Sequence, residues 1–152
     1  MASAFGRKFL GYELWVAKGK EVKCAVAYKA LDNFKARIRQ LTRRSGGRSM
    51  AQVVDKLRPY LLGWKAYFGM VQTPKVWREL DEWLRHRLRA IQLKQWKRPR
   101  TIYGELKAWG AKENVALQVA GNSRRWWRNS DRLLKTVLTI AYFDRLGEPR
   151  LS

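Results

Sequence analysis

The stretch Leu57-Arg-Pro-Tyr-Leu-Leu-Gly-Trp-Lys-Ala-Tyr-Phe68 contains the clearest fold signal in this 152-residue sequence. Its large apolar residues recur at spacings of three and four, which predicts the buried face of an α-helix. The helix is expected to begin upstream, because Ser49 and Gln52 match the reciprocal capping box of helix starts. Pro59 predicts a kink near residues 55–58, since proline cannot donate a helical hydrogen bond.

Helical periodicity continues on both sides of this stretch. Upstream, apolar residues at the same spacing predict a helix with one buried face: Leu31, Phe34, Ile38 and Leu41. Downstream, Thr73 and Pro74 are typical of a helix start, and the helix that they open should run to about Lys97. Shorter helices are predicted over residues 101–109, 113–120 and 133–145.

Residues 5–26 have a different pattern, with aromatic and β-branched residues on both sides of a glycine-containing turn at 17–20. This pattern predicts a β-hairpin. Gly11 inside the first strand indicates a bulge or a close approach of other backbone. Because an isolated hairpin is marginally stable in water, it should pack on the helices or on another protein. The predicted fold class is mostly α with a small N-terminal β-hairpin.

The charge balance points to a polyanionic partner. The chain has 33 Lys and Arg against 12 Asp and Glu, a formal net charge of +21. A hydrophobic content of 46% and eight Trp argue against a disordered basic tail. A ribosomal protein would share this excess, and so would a membrane-surface protein, but basic residues interleaved with aromatic ones in every segment favour nucleic acid. No long apolar run or leader is visible, so a cytoplasmic protein without membrane contact is expected.

Residues for catalysis or metal binding are few and dispersed. A single cysteine, Cys24, excludes a disulfide framework and a multi-cysteine zinc site. No two Asp are adjacent, as a two-metal polymerase site would usually require. Asp81 and Glu82 diverge on a helix and are expected to be solvated partners of nearby Arg, and His86 is expected at a surface or interface. We therefore predict no catalytic residue, no metal site and no cofactor.

The candidate binding surface is centred on the long helix. At about 100° per residue, Arg78, Arg85, Arg89 and Trp96 share the face opposite its apolar residues. Cations there would neutralise phosphates, and an exposed ring would stack on a base. The candidate nucleic-acid-binding residues are Lys35, Arg39, Arg43, Arg44, Arg48, Lys65, Arg78, Arg85, Arg89, Trp96, Lys97, Arg98, Arg124, Arg125 and Arg128.

Tryptophan at helical spacing is more often core than binding surface, with neighbouring Arg stems covering it. We expect three of them to lie in the core: Trp64, Trp77 and Trp83. Trp96, opposite the apolar face, is assigned to surface recognition. Trp126 and Trp127 diverge on a helix, so one of them should be core.

Three segments resemble parts of bacterial group II intron reverse transcriptases. The run Phe9-Leu10-Gly11-Tyr12 resembles their primer-grip hairpin. The Gly-Trp-x-x-Tyr-Phe block that ends at Phe68 is similar to the core of their maturase-specific domain. The run from Ile140 to Leu151 resembles the C-terminus of bacterial members. The resemblance implies a palm-end hairpin at 1–26, a thumb-like maturase-specific helical bundle at 27–110 and a basic helical extension at 111–152.

The resemblance also implies a partner and a function. Family members grip group II intron RNA and promote its splicing and mobility, and they copy RNA with a Tyr-Ala-Asp-Asp motif that this sequence lacks. The chain is expected to be an RNA-binding maturase fragment. The alternatives are the thumb half of a split RNA-directed DNA polymerase with a separately encoded palm domain, a module that binds target DNA, and a remnant without function.

Overall fold

The computed structural model describes residues 8–9, 11–43, 46–71 and 74–152, with only the backbone for residues 8 and 9. The fold is mostly α with a small N-terminal hairpin, which confirms the predicted class. The strands are β1 (Lys8–Phe9), β2 (Tyr12–Val16) and β3 (Val22–Val26). The helices are α1 (Tyr28–Leu41), α2 (Met50–Tyr67), α3 (Pro74–Trp96), α4 (Pro99–Ala108), α5 (Glu113–Gly121), α6 (Trp126–Arg132) and α7 (Ile140–Leu146). Single 3₁₀ turns lie at Ser123–Arg125 and Leu134–Thr136.

The hairpin pairs β2 with β3 in antiparallel register, from Tyr12 opposite Val26 to Val16 opposite Val22. The predicted first strand is not continuous, because the two-residue β1 folds back on β2. Gly11 allows this reversal: its φ of +86° lies in the left-handed region that glycine adopts without a steric cost. Residues 5–7 of the predicted strand and Leu10 lie outside the described residues.

The hairpin packs on the end of α2. A Cβ built on Gly11 would lie 3.1 Å from Cζ of Phe68, so glycine also permits a close approach here. The Tyr12 ring lies 5.0 Å from the Phe68 ring, centroid to centroid, and its hydroxyl donates to the carbonyl of Tyr67. The other side of the hairpin is open, with Trp15 41% exposed. The hairpin is thus attached to the helices at the end that holds Gly11, Tyr12 and Val26, the last of which is buried in the core.

The core joins α1, α2 and α3 through an aromatic cluster around Trp64. Its ring centroid lies 4.3 Å from that of Phe34, 4.6 Å from that of Phe68 and 5.2 Å from that of Trp77. Aromatic pairs at these distances stabilise a core beyond the area that they bury. Trp77 is buried, and Trp64 and Trp83 are half-buried against the core, as predicted. Trp64 and Phe68 of the Gly-Trp-x-x-Tyr-Phe block are therefore part of the core, whereas Tyr67 is half-exposed.

The start of α2 follows the sequence closely. The backbone N–H of Gln52 donates to the Ser49 hydroxyl, and the Gln52 side chain accepts from the Ser49 N–H, which confirms the capping box. The helix then runs through Pro59 as one element to Tyr67. At the α3–α4 junction, Pro99 occupies the first turn of α4 and Arg98 its N-cap. The predicted start of that helix at Thr101 is wrong, because proline fits the first helical position.

The predicted helix over residues 133–145 is also wrong. The chain forms α6, a 3₁₀ turn and α7 instead, with an extended break at Thr139. Three of the four residues 136–139 are β-branched, which weakens helix propensity, and the Thr136 hydroxyl donates to the Leu133 carbonyl in competition with helical bonding. Leu134, Leu138 and Phe143 are nevertheless buried, so the broken segment packs on the core.

Residues 147–152, which we call the strap, lie across α2 and α3. Arg58 of α2 donates from Nε to the carbonyl of Gly147 at 3.2 Å, and Lys65 donates to the carbonyl of Arg150 at 2.9 Å. On α3, the Asp81 carboxylate accepts the backbone N–H groups of residues 151 and 152, both at 2.9 Å. The strap therefore joins the two central helices from outside.

Candidate nucleic-acid interface

A concave groove lies where the end of α1, the α1–α2 connection and the last turns of α3 meet. Its volume is about 780 Å³, and four of its lining residues are basic: Arg43, Arg48, Lys94 and Lys97. No acidic residue lines it within the described part of the chain. Opposite charges would cancel the field, so their absence leaves the groove electropositive. We call it the basic groove.

Local structure holds the walls of the basic groove in place. The capping box fixes the start of α2, and Gln95 of α3 donates to the Arg48 carbonyl at 2.7 Å, which ties the α1–α2 connection to α3. Lys97 has a φ of +57° and follows α3 directly, in the left-handed conformation common at helix ends. A cation is favoured there because the helix carbonyls carry partial negative charge.

Two smaller basic cavities extend the groove towards the C-terminal helices. The first, of about 400 Å³, shares Lys94 and Lys97 with the groove and adds Arg124. The second, of about 270 Å³, is lined by Arg125, Arg128 and Arg132. Arg124 and Arg125 are consecutive in the chain, although the two cavities share no lining residue. We refer to the groove and both cavities together as the basic band.

The remaining predicted binding residues differ in where they lie relative to this band. Lys35 and Arg39 lie on α1 and precede Arg43, just beyond its end, at four-residue spacing, and both lie over the Trp83 ring. Arg78 and Arg98 are exposed, and Lys65 bonds to the strap. Arg44 and the side chain of Phe9 lie outside the described residues, like Leu10.

The expectation that Arg85 and Arg89 form an open binding face is wrong. Arg85 is 9% exposed and Arg89 is 2% exposed. Arg89 donates from Nε to the Leu138 carbonyl at 3.0 Å, and its guanidinium lies 5.5 Å from the Phe143 ring centroid. Burial, with help from the like charge of Arg85, lowers the pKa of Arg89 to about 10. The residues after 110 cover this face of α3, which periodicity alone assigns to solvent.

Asp81 and Glu82, which are adjacent on α3, differ in their exposure and in their partners. Asp81, expected to be solvated, is 1% exposed and holds the strap. Glu82 is half-exposed and pairs with Lys135, and the hydrogen bond from Lys135 lowers the pKa of Glu82. His86 lies at an interface as expected, with its ring stacked on Trp127 at a centroid distance of 3.7 Å.

The Trp96 side chain is only partly exposed. It is half-buried against the hydrophobic core, so it is less open than the stacking surface that we predicted. Of the other pair, Trp126 is half-buried against the core and Trp127 is 39% exposed. The basic groove itself has no aromatic residue in its lining.

Sequence reasoning missed three basic residues that the structure places beside the predicted ones. Lys94 lines two of the cavities and Arg132 lines the third. Arg87 lies over the Trp83 ring from α3, next to Arg39. Lys94 lies three residues before the predicted Lys97, and only the tertiary arrangement shows that both line one groove.

The sequence pattern of the group II intron maturase-specific domain matches residues 31–110, just over half of the 152 residues. The chain belongs to this family. The match contains nearly all of α1 together with α2, α3 and α4, so every lining residue of the basic groove lies within the maturase-specific domain. The hairpin and the residues after 110 lie outside the match.

No curated protein matches the chain. Among the described residues, none of the helices is both long and apolar enough to span a bilayer. The described part of the chain likewise has no cluster of three or more His, Cys, Asp or Glu side chains placed to hold a metal ion.

Proposed function

We propose that this protein binds structured RNA, and group II intron RNA in particular, along the basic band. It would hold the folded intron in the arrangement that splicing and mobility require. The observation that supports this most strongly is the basic groove, because its four cations line a concave surface without any acidic residue and belong entirely to the maturase-specific domain. In this proposal the hairpin at 1–26 and the basic extension at 111–152 flank the binding domain.

The lining of the groove also favours a mode of recognition. Val53 and Ile91, each 3% exposed, contribute apolar surface, and the polar groups include the amides of Gln40 and Gln95. Without an aromatic ring, the groove lacks the platform that single-stranded bases stack on. Cations and amides instead suit the backbone of a folded RNA, which proteins recognise by shape and phosphate contacts. We expect weak dependence on base sequence.

The test is the salt dependence of RNA affinity for wild type and for Arg48→Gln/Lys94→Gln. Each phosphate contact that is lost should reduce the magnitude of the slope of log K against log salt by roughly 0.7–0.9, so the loss of two contacts should reduce it by about 1.4–1.8. The control is Lys18→Gln/Lys29→Gln, which removes the same charge from exposed positions in the hairpin turn and at the start of α1.

A control with the same loss of slope as the groove variant would show that only net charge matters, and would refute a localised site. Duplex DNA that competes as well as a group II intron domain would favour the DNA-binding alternative. Wild type without measurable RNA affinity at low salt would refute the proposal altogether.

A second candidate is the thumb of a polymerase whose palm domain is separately encoded. The exposed side chains of Trp15 on one face of the hairpin and Val22 on the other favour it, since large apolar side chains open to solvent can contact another protein. Primer extension by a mixture with a separately expressed fingers-palm protein would support this role if neither protein extends a primer alone. A mixture that is no more active than the palm protein alone would refute it.

A further inference from the structure

Three cationic side chains converge on one indole at the junction of α1 and α3. Measured to the centroid of the Trp83 ring, Nζ of Lys35 lies at 5.9 Å, Cζ of Arg39 at 5.6 Å and Cζ of Arg87 at 5.5 Å. Each distance is within the range of a cation–π interaction. Trp83 is half-buried against the core, so the ring that gathers these cations is held by the fold.

In the described part of the chain, no carboxylate forms an ion pair with Lys35, Arg39 or Arg87. Arg87 is partly buried, and its pKa is lowered by burial first and then by the charge of Arg39. Like charges this close repel one another, and the cation–π contacts with one ring offset only part of that repulsion. An anion bound between them would remove it.

One of the three cations is already oriented. Arg87 donates from Nε to the Thr42 hydroxyl at 2.8 Å and from Nη2 to the Thr42 carbonyl at 3.5 Å. Thr42 is 1% exposed, and its hydroxyl donates in turn to the Ile38 carbonyl at 2.6 Å. A guanidinium fixed in this way loses little side-chain entropy on binding a ligand, and its planar fork suits a phosphate.

We propose that Lys35, Arg39 and Arg87 form a subsite for one phosphate group, positioned by Trp83. The inference rests on the proposed RNA binding and extends it: Arg43, which lines the basic groove, lies four residues after Arg39, just beyond the end of α1. The backbone of a bound RNA would therefore run from the basic groove along α1 to the subsite. Trp83 and Arg87 are additions to the binding surface that the sequence did not indicate.

The first experiment measures RNA affinity against salt for Lys35→Gln/Arg39→Gln. Because both cations share one phosphate, the variant should lose one phosphate contact, which reduces the magnitude of the slope of log K against log salt by roughly 0.7–0.9. Affinity at low salt should fall roughly 10- to 100-fold. The control is again Lys18→Gln/Lys29→Gln, with unchanged melting temperature required of both variants. Affinity equal to the control would overturn the subsite while leaving the groove proposal intact.

The second experiment does not depend on RNA. Inorganic phosphate is titrated into ¹⁵N-labelled protein while the Nε–Hε resonance of Arg87 is followed by NMR. A saturable shift that is lost in Lys35→Gln/Arg39→Gln is expected, and its absence in wild type would overturn the subsite. A saturable shift in a protein without RNA affinity would refute the proposed function and assign the subsite to a free phosphate-bearing ligand.

Discussion

Replacing Glu148 with glutamine tests the charge state of a carboxyl enclosed between α3 and α7. Glu148 is 7% exposed, and its Oε1 has no hydrogen-bond partner among the described residues. Burial raises its pKa from 4.5 to about 8, because desolvation and the nearby Asp81 and Asp144 outweigh the attraction of Arg85 and Arg89. The carboxyl is therefore protonated in the folded protein at neutral pH.

The effect on stability follows from where the proton is bound. Below pH 4.5 Glu148 is protonated in both the folded and the unfolded chain, so it adds no pH dependence. Between pH 4.5 and 8 only the unfolded chain releases the proton, and stability falls by about 1.4 kcal/mol per pH unit, to a total of about 5 kcal/mol. Above pH 8 both states are ionised and the loss is complete. The lowered pKa values of Glu82 and Asp144 place their titrations below this window.

Glu148→Gln cannot ionise, so it should match wild type near pH 5 and exceed it by about 4 kcal/mol at pH 8.5. Urea denaturation at pH 5, 6.5 and 8.5 measures the difference, with the exposed Glu21→Gln as a control that should follow wild type. If Glu148→Gln is instead less stable at every pH and wild type gains stability as pH rises, Glu148 is ionised and paired with Arg85 and Arg89. That result would refute the reasoning.

Three further predictions concern backbone, core and dynamics. Gly11→Ala should lower the free energy of unfolding by about 1–3 kcal/mol, because φ is +86° and the new Cβ contacts the Phe68 ring. Gly104→Ala, in open space on α4, should instead raise the free energy of unfolding by about 0.5–1 kcal/mol in the same urea assay. Trp96→Ala should lower it by about 2 kcal/mol through lost packing, and RNA affinity measured well below the melting temperature should not change. In hydrogen exchange, Tyr12–Val16 should open before Pro74–Trp96, and equal protection in both would contradict the hairpin's marginal attachment.

The sequence predicted α1, α2 and α3 well because each has one strongly apolar face, and α2 and α3 also have recognisable starts. Ser49 and Gln52 placed the beginning of α2, and Phe34 and Ile38 are fully buried as their spacing required. Periodicity separates an apolar face from a polar one, but it does not say whether the polar face meets water. Arg89 is polar and buried, because a second layer of the same chain supplies the Leu138 carbonyl that it needs.

The candidate site was only partly predictable for a similar reason. Arg43, Arg48 and Lys97 were predicted from local clustering of charge, and they line the basic groove. The groove itself depends on how the end of α1 meets α3, a tertiary relation that no local pattern encodes. Lys94 and Arg87 gain their significance only from that relation, since each belongs to a helix that is basic along its whole length.

The strap has a consequence for how this protein can be divided. Residues 31–110 coincide with the recognised family, yet their α3 reaches its buried state only when Leu134, Leu138 and Phe143 cover it and Asp81 binds residues 151 and 152. A fragment cut at residue 110 would lose these contacts and expose the face of α3 that carries Asp81, Arg85 and Arg89. The region that matches the family is therefore shorter than the unit that folds cooperatively. A fragment made for expression has to contain the whole folding unit.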